Sequence, residues 1–355
     1  MAKYAYTVTI AGASLLNVQN LTVNVGRAGV QDPFRTGTAV ISGRNLTGFL
    51  NPTIGQRVII NANGSKIYDG RVADVSINYG IVASMDTWEI RCEDALADAG
   101  RSAVSVNWAY GETAYYAAYT TATLASINVV GIAPYPASSK VSAQSGSDLN
   151  LLQVLQTLVQ TEQGRLFGYG VNTIAWLGRK DMNTTQTLAS FTDGSLTATY
   201  GAAKYDGVQF RSLADNYATK VVVQPSGLAA QTSGSGYRTF TMDSYDWTTA
   251  QAADLAGYVR NTLTVAAGVP SSMTCLAEEQ TTNNALDCVL FQNQGSQCEV
   301  ILRGVRYRCI IEGTTVTATP ESSRFTYYLS SSEAYQFLVL NDSVYGKLGT
   351  GKLGF

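Results

Sequence analysis

Apolar and polar residues alternate along most of the first hundred positions, which is the pattern of β-strands with one buried face. Short runs of turn-forming residues separate these segments, so this region is predicted to fold as a β-sandwich or a small barrel. The predicted strands lie at 4–10, 21–25, 38–44, 58–60, 66–68 and 88–92.

Two short turns give the most specific local signals. Asn63-Gly64 separates two apolar runs, and an Asn-Gly pair supplies the two positive-φ residues of a type I′ hairpin turn. Arg303-Gly304 is predicted to close a second hairpin, in which opposite charges face each other across the ladder. The facing pairs of that register are Leu302 with Val305, Val300 with Tyr307, Cys298 with Cys309, and Glu299 with Arg308.

Helical spacing of apolar residues predicts three helices, whose apolar faces lie at 115–122, 151–159 and 255–263. The second of these is the clearest, with Asp148 as its N-cap and Gly164 just past its end. The third begins near Thr248, which matches a capping box with Gln251.

Residues 55–68 and 295–307 resemble each other in their glycines and apolar positions, which indicates a duplicated β module. The chain is therefore predicted to be mainly β with α+β insertions, with two barrel or sandwich modules and a smaller helix-containing domain. The predicted division is a first β module at 1–100, a helix-containing α+β insertion at 101–204, a second β module at 205–335 with a helix near 248–263, and a C-terminal tail at 336–355.

Charge and composition exclude several functions. Only 14% of residues are charged, and 24 basic residues against 26 acidic ones form no basic run that could neutralise a phosphate backbone. The chain has no histidine, which removes Ser-His-Asp and Cys-His catalysis and nearly every zinc site. We therefore expect no catalytic residue, no metal site and no cofactor. No apolar run has the length of a membrane span, and the first ten residues lack a basic leader, so a soluble chain without a secretory signal is expected.

Five cysteines are an odd number, and no CxxC spacing occurs among Cys92, Cys275, Cys288, Cys298 and Cys309. Cys298 and Cys309 face each other in the predicted hairpin, at a separation that would permit a bridge. Since nothing else in the sequence argues for export, we predict free, buried thiols in a reducing compartment.

Several candidate sites have a simpler structural interpretation. The carboxylates that could form an acid and base pair, as a glycosidase needs, show no spacing that selects one pair. The spaced glycines at 164–170 lack the lysine of a phosphate loop. We interpret the first group as solvated strand ends and a polar helix face, and the glycines as turns. The carboxylates are Asp32, Asp69, Asp74, Glu89, Glu93, Asp94, Asp98, Glu278 and Glu279.

An aromatic segment and the C-terminal segment are candidates for binding. The aromatic residues Trp108, Tyr110, Tyr115, Tyr116 and Tyr119 could stack on sugars or form an interface, although half of them must face inward if the helix is amphipathic. The last segment separates apolar residues by glycines, so it cannot build a core and would be adhesive if free. It is predicted to dock on its own body or on a neighbouring subunit through Tyr345, Leu348, Leu353 and Phe355.

The ending at 337–348, which closes on Lys352-Leu353-Gly354-Phe355, resembles the C-terminus of minor tail proteins of long-tailed bacteriophages, particularly those that infect actinobacteria. Residues 54–58, 68–75 and 163–167 resemble further motifs of that family in the same order, namely two strands and the end of a helix. The similarity touches most of the chain. It departs from the family at Ser343, where a proline is common, and residues 101–147 match none of its motifs.

The resemblance implies a tail hub of a siphovirus, similar to the baseplate hub of contractile tails. Such a subunit contains two modules related to tail-tube proteins, and three chains form a ring that continues the sixfold tube. The implied partners are further copies of the chain, a tail-tube or distal tail protein, the tape measure protein and tip or receptor-binding proteins. The implied location is the virion tail tip, assembled in the bacterial cytoplasm, with a lumen free of basic patches so that DNA does not adhere.

Two other functions remain open at this point. A carbohydrate-binding or host-receptor-binding tail protein is motivated by the aromatic segment at 108–119. A glycan-degrading enzyme would need two of the carboxylates to act together.

Overall fold

A computed structural model describes residues 5–29, 32–47, 49–132, 139–179, 189–198, 201–211, 217–265, 268–280, 285, 287, 289 and 294–332. The chain is mainly β with α+β insertions, so the predicted fold class is confirmed. Fourteen of the described strands belong to one large sheet, and the others form small sheets of two or three strands.

The N-terminal part of the large sheet forms what we call the first β unit. Its strands are β1 (Tyr6–Ile10), β2 (Ala13–Ser14), β3 (Val18–Gly26), β4 (Thr38–Arg44), β5 (Arg57–Ala62), β6 (Ser65–Asn78) and β7 (Thr87–Glu93). Six of them lie in the order β3-β4-β7-β6-β5-β1. The segment 13–26 pairs with β1 at its start, through β2, and with β4 at its end, through β3. The unit therefore curls back on itself as a small barrel does.

An α/β insertion follows the first β unit. Its elements are α1 (Ala95–Arg101), β8 (Ala103–Trp108), α2 (Ala114–Leu124), β9 (Asn128–Gly131), β10 (Gln144–Asn150), α3 (Leu151–Glu162), β11 (Arg165–Gly170) and β12 (Thr173–Leu177). The apolar faces of α2 and α3 pack with α1 around the buried Trp176, so the insertion has its own core.

The rest of the chain contains a second β unit that is interrupted by a small α/β unit at 217–265. The described elements in chain order are β13 (Ala189–Thr192), β14 (Ala202–Lys204), β15 (Gly207–Gln209), β16 (Lys220–Pro225), β17 (Gln231–Gly234), β18 (Thr239–Ser244), α4 (Thr249–Val265), β19 (Ser272–Leu276), β20 (Gln297–Leu302), β21 (Val305–Ala318) and β22 (Ser323–Ser331). Helix α4 packs on the sheet β17-β16-β18, and together they form the small unit. The strands β13 and β14, which fall in the segment predicted as insertion, hydrogen-bond within the second β unit.

The two β units repeat one strand order. The second unit has the order β15-β19-β22-β21-β20-β13, which matches the first unit strand for strand. Its segment 202–209 pairs with β13 through β14 and with β19 through β15, so this unit also curls back on itself. One difference is that β13 runs parallel to β20, whereas β1 runs antiparallel to β5.

The correspondence is closest in the central hairpins. In each unit a strand of 6 residues is followed by a two-residue turn and a strand of 14 residues. Corresponding residues of the two hairpins are 240 positions apart in the sequence: the first strands begin at 57 and 297, and the second strands begin at 65 and 305 and end at 78 and 318. Both long strands also carry a bulge, next to Val72 in β6 and next to Ile311 in β21. The sequence likeness of residues 55–68 and 295–307 therefore has a structural counterpart.

Both predicted hairpin turns are confirmed. Asn63 and Gly64 have φ values of 48° and 82°, and Arg303 and Gly304 have 51° and 80°, as a type I′ turn requires. The strands β20 and β21 pair in the predicted register, with Cys298 opposite Cys309 and Glu299 opposite Arg308.

The helix signals are confirmed with one correction. Asp148 is not the N-cap of α3, because β10 continues to Asn150 and Asp148 lies at a bulge of that strand with a φ of 55°. The side chain of Asn150 caps the helix and accepts a hydrogen bond from the Gln153 amide at 3.1 Å. Thr248 accepts from the Gln251 amide at 3.1 Å, as predicted. The Gln251 side chain does not complete the box by reaching back to Thr248, and instead donates to the Lys140 carbonyl.

The two β units are joined directly to each other. Strand β3 pairs antiparallel with the C-terminal half of β21, so that Val23 faces Val316, and both side chains are buried. The apolar residues of both units accordingly form one continuous core. This edge-to-edge contact fixes how the two units sit within one chain.

Candidate assembly interface

The residues that were predicted to dock lie outside the described residues. Tyr345, Leu348, Leu353 and Phe355 belong to the segment after Ser332, and their docking role stays a prediction. The described part of the chain offers a different candidate interface, which is an apolar loop on the first β unit.

This apolar loop consists of residues 79–86 and connects β6 to β7. Its large apolar side chains face solvent: Ile81 is fully exposed, and Tyr79, Met85 and Val82 are at least half exposed. Four large exposed apolar side chains on one loop make this segment a candidate interaction surface. The apolar residues of this loop are visible in the sequence, but the alternation of apolar and polar residues does not show whether their side chains are buried or exposed.

The conformation of the apolar loop is held by its own polar groups. The Asp86 carboxylate, which is buried, accepts a hydrogen bond from the Gly80 amide at 2.8 Å. The Asp86 carbonyl accepts from the Asn45 amide at 2.9 Å, which anchors the loop to the body of the unit. Residues Ala83–Met85 form one turn of 3₁₀-helix. The apolar side chains are therefore presented on a defined backbone.

The second β unit has a different loop at the corresponding place. Residues 319–322, between β21 and β22, form a short polar turn in which the Thr319 side chain accepts from the Ser322 amide at 3.1 Å. Pro320, Glu321 and Ser322 are exposed, and none is a large apolar residue. The two units thus share a scaffold and differ in the surface that this loop presents.

A buried cluster of charges lies where the two β units and the α/β insertion meet. Glu312, at the bulge of β21, is fully buried between Arg27, which follows β3, and Arg165, which begins β11. The Arg27 Nε donates to Glu312 Oε2 at 2.8 Å, and Arg165 donates to Glu312 Oε1. Ser330 of β22 donates to the same carboxylate.

Electrostatics favours the ionised form of Glu312. Burial alone would raise the pKa of its carboxyl group, but the guanidinium groups of Arg165 and Arg27 lower it from its usual 4.5 to about 2. The Arg27 guanidinium also lies 4.3 Å from the ring centre of Phe34 and donates to the Asp32 carbonyl. One carboxylate therefore links three parts of the chain that are far apart in sequence.

The same fold occurs in solved structures of tail proteins. The 43 kDa tail protein of prophage MuSo2 from Shewanella oneidensis matches with a TM-score of 0.65 and 13% identity, over 94% of this chain and 98% of that chain. The tail protein from Neisseria meningitidis matches with a TM-score of 0.67 and 12% identity over the same shares. This chain has the fold of phage tail proteins. No protein-family model matches it, and no curated protein matches it either.

A component of the type VI secretion system from E. coli also shares the fold. It matches with a TM-score of 0.51 and 12% identity, over 92% of this chain and 78% of that chain, and it is described as structurally similar to bacteriophage tail proteins. The fold is therefore found outside phage particles as well.

The aromatic segment at 108–119 is divided between the core and the surface, and only Tyr115, Tyr116 and Tyr119 of the five lie on the helix α2. Trp108 is buried and donates from Nε1 to the Ser142 carbonyl at 3.0 Å, and Tyr115 donates to the Val129 carbonyl. Tyr110, Tyr116 and Tyr119 remain exposed. Two of the five aromatic residues thus have structural roles.

The candidate carboxylates are mostly engaged in structural contacts. Asp69 accepts from Arg57 at 2.7 Å and from Lys66 at 3.2 Å, and Asp94 caps α1 by accepting from the Leu96 amide. Four of the others also have partners: Glu89 pairs with Arg91, Glu93 with Arg101 and Asp98 with Arg71, and Glu278 accepts from the Ser323 amide. Burial raises the pKa of Asp94 to about 7, against the opposing effect of backbone donors.

Among the residues that the structure describes, no three His, Cys, Asp or Glu side chains are grouped so that they could hold a metal ion. Within the same part of the chain, no helix is both long and apolar enough to cross a membrane. Cys92, Cys275 and Cys298 are free and buried, as predicted, Cys309 is also buried, and Cys288 lies outside the described residues. Burial raises the pKa of the Cys92 and Cys298 thiols to about 12.

Proposed function

We propose that this chain is a structural virion protein, the tail hub of a bacteriophage tail tip. In this proposal copies of the chain form a ring that continues the tail tube and connects it to the tip and receptor-binding proteins. The observation that carries the proposal is the repeated strand order of the two β units within a fold that tail proteins share.

The repeat supports a ring of three chains. Two similar units in each subunit give six similar units when three subunits close a ring, which matches a sixfold tube to a threefold tip. The direct pairing of β3 with β21 keeps the two units of one chain side by side, as neighbours in a ring must be. The predicted domain division fits this proposal if each β unit acts as one tube-like module.

Each unit also has the form that a ring subunit needs. Because the pairing in each unit curls back on itself, few strand edges are left open for uncontrolled association. Contacts between subunits would then use loops and side chains. The low charge of the chain suits a conduit wall, since there is no basic run to retain DNA. No chemical step is needed for such a role.

The apolar loop 79–86 is, in this proposal, a contact with the neighbouring tail-tube or distal tail protein. Its exposed apolar side chains would lose contact with water on assembly, which favours association at about 25 cal/mol per Å² of buried apolar area. The C-terminal tail, through Tyr345, Leu348, Leu353 and Phe355, is proposed to dock on a neighbouring copy. Host type, the tape measure contact and the location in the virion tip are parts of the same proposal.

The oligomeric state of the full chain tests the ring. We expect native mass measurement to give three times the mass of one chain, and negative-stain images to show threefold rings. A chain that stays monomeric at high concentration, alone and with tail-tube protein, would count against a hub. Deletion of residues 341–355 is expected to leave a folded β protein and to reduce ring formation, whereas unchanged assembly would remove the docking role of the tail.

A further inference from the structure

Eight strands of the large sheet form one antiparallel path, in the order β6-β7-β4-β3-β21-β22-β19-β15. At one end of this path, β15 pairs only with β19 among the described strands. At the other end, the part of β6 after Val72 pairs with β7 on one side and with no described strand on the other. Two strand edges are therefore open, and an open edge can pair with a further strand.

The long strand β21 shows which strand the edge of β6 can hold. In the first unit the Gly55 amide donates to the Val72 carbonyl at 2.8 Å. In the second unit the Gly295 amide donates to the Ile311 carbonyl at 2.7 Å, so Val72 and Ile311 occupy the same position. They are 239 positions apart because the bulge between β5 and β6 adds one residue to β6. Beyond this position β21 pairs with β3 over residues 313–318, whereas the equivalent edge of β6 is open.

The strand β15 has the place in the second unit that β3 has in the first. A row of facing residues crosses each unit from the long strand through two further strands to β3 or β15, and the two rows match position by position. Because β3 and β15 run in the same direction from this row, Gln209 corresponds to Thr22, and Phe210 corresponds to Val23. The row consists of Val75, Ile90, Ile41 and Leu21 in the first unit, and of Thr314, Tyr327, Met273 and Val208 in the second.

Side-chain burial at the matching positions differs as an unpaired edge requires. Val23 of β3 faces Val316 of β21, and the two residues are only 0% and 3% exposed. The counterpart of Val316 in β6 is Ile77, which is only partly buried, and the counterpart of Val23 is Phe210, which is 44% exposed. The Phe210 ring packs against its own unit, with its centre 5.3 Å from that of the Tyr307 ring. Ile77 and Phe210 therefore lack the cover that the corresponding valines give each other within the chain.

The backbone of β15 also directs hydrogen-bonding groups toward its open side. The Gln209 carbonyl accepts from the Ser271 amide at 2.8 Å, so the backbone groups of Gln209 point toward β19. Successive residues of a strand direct their backbone groups to alternate sides, so the N–H and C=O groups of Phe210 point away from β19. The edge beside Phe210 can therefore accept a partner strand without any rearrangement of β15.

We propose that β15 of one copy of the chain pairs antiparallel with β6 of the next copy, so that Phe210 faces Ile77. This inference rests on the proposed ring, and it adds a strand pairing to the loop and side-chain contacts of that ring. The two end strands of an antiparallel path of eight strands run in opposite directions, so copies related by a rotation meet with antiparallel edges. The contact is head-to-tail, which closes a ring and covers both open edges. The exposed Arg211 then lies diagonal to the exposed Asp74, and their charges are opposite.

A pair of cysteines across the contact tests the proposed register. The facing pair next to Phe210 and Ile77 is Gln209 with Asn78, which corresponds to Thr22 with Thr317 inside the chain. Counted from the hydrogen bond that the Arg27 amide donates across to β21, the pair of threonines is not hydrogen-bonded through its backbone. The Cα atoms of such a pair are about 4.5 Å apart, and a disulfide can bridge that distance.

We expect Asn78→Cys with Gln209→Cys, oxidised at a concentration at which native mass measurement shows rings, to give covalently linked dimers and trimers on a non-reducing gel. Reduction should return these species to single chains. Ser76→Cys with Gln209→Cys is the matched control, because the Cβ atoms of a diagonal pair are about 7–8 Å apart. The control should form at least tenfold less cross-linked product.

Removal of the Phe210 ring gives a second measurement. Phe210→Ser should raise the concentration at which half of the chains are assembled at least tenfold. Tyr237→Ser, which removes a 92% exposed ring from the small α/β unit, should leave that concentration unchanged. The strand pairing is overturned, and the tail hub is not, if rings of three chains form while the two cysteine pairs cross-link alike and Phe210→Ser assembles normally. A chain that forms no oligomer would overturn the ring and the strand pairing together.

Discussion

Replacement of Glu312 by glutamine tests whether one buried carboxylate holds three parts of the chain together. Glutamine has nearly the same size, so the change removes the negative charge and leaves packing almost intact. The guanidinium groups of Arg27 and Arg165 then remain buried without the anion that they both contact. The variant is therefore expected to be less stable because of unpaired buried charge.

The expected loss follows from the pKa of this group. A pKa lowered from 4.5 to about 2 corresponds, at about 1.4 kcal/mol per unit, to about 3 kcal/mol of preference for the ionised carboxylate. Removing one partner of a buried ion pair typically lowers protein stability by about 3–5 kcal/mol, which agrees with the value obtained from the pKa. We expect Glu312→Gln to lower the free energy of unfolding by about 3 kcal/mol at pH 7.

Denaturant unfolding with tryptophan fluorescence measures this loss in two parts of the chain. The chain has four tryptophans, so variants that keep only Trp88 or only Trp176 are needed to report separately on the first β unit and the insertion, and the transitions of both should shift because Glu312 contacts both parts. Glu321→Gln, an exposed carboxylate in the loop 319–322, is the matched control and should change stability by less than about 0.5 kcal/mol.

The pH dependence has a defined sign. Because the folded-state pKa of Glu312 is lowered, its contribution to the free energy of unfolding is fully present above about pH 4.5. This contribution is lost as the pH falls toward about 2. The stability difference between the original chain and Glu312→Gln should therefore shrink over that range. A loss below about 1 kcal/mol at pH 7, or a difference that does not depend on pH, would refute the reasoning.

Three further predictions follow from named contacts. Gly26→Ala should destabilise more than Gly12→Ala by about 1–3 kcal/mol in the same assay, because both glycines have positive φ but only at Gly26 would a Cβ meet the Glu312 carbonyl, at 2.4 Å. Ile81→Asp should leave unfolding unchanged and weaken assembly with the neighbouring tail protein, since Ile81 is fully exposed; normal assembly would remove the loop from the interface. Cys92 and Cys298 should stay unlabelled by a thiol reagent at pH 8 until the chain unfolds, as mass spectrometry of peptides can show, because burial raises their pKa values to about 12.

Local chemistry made much of the fold predictable. The Asn63-Gly64 and Arg303-Gly304 turns and the Thr248 cap depend on residues that are neighbours in sequence, and all three are confirmed. The N-cap of α3 was misplaced by two residues because both Asp148 and Asn150 are good caps. The choice between them depends on how far β10 extends along β8, which is a tertiary contact.

The sequence alone did not predict the exposed apolar loop 79–86 or the buried charge cluster around Glu312. Arg27 and Glu312 are 285 positions apart, and no local pattern indicates that they form an ion pair. The sequence did not show that Ile81 is exposed, because an apolar residue near the end of a strand is equally consistent with a buried and with an exposed side chain.

The difference between the two loops has a consequence for the proposed ring. If three chains present six similar β units, features common to both units, such as the two central hairpins, recur six times around the ring. The apolar loop 79–86 recurs only three times, because the polar turn 319–322 replaces it in every second unit. A sixfold partner would then be held by the shared features, and a partner with threefold symmetry by the apolar loops. One duplicated chain could in this way connect a sixfold tube to a threefold tip.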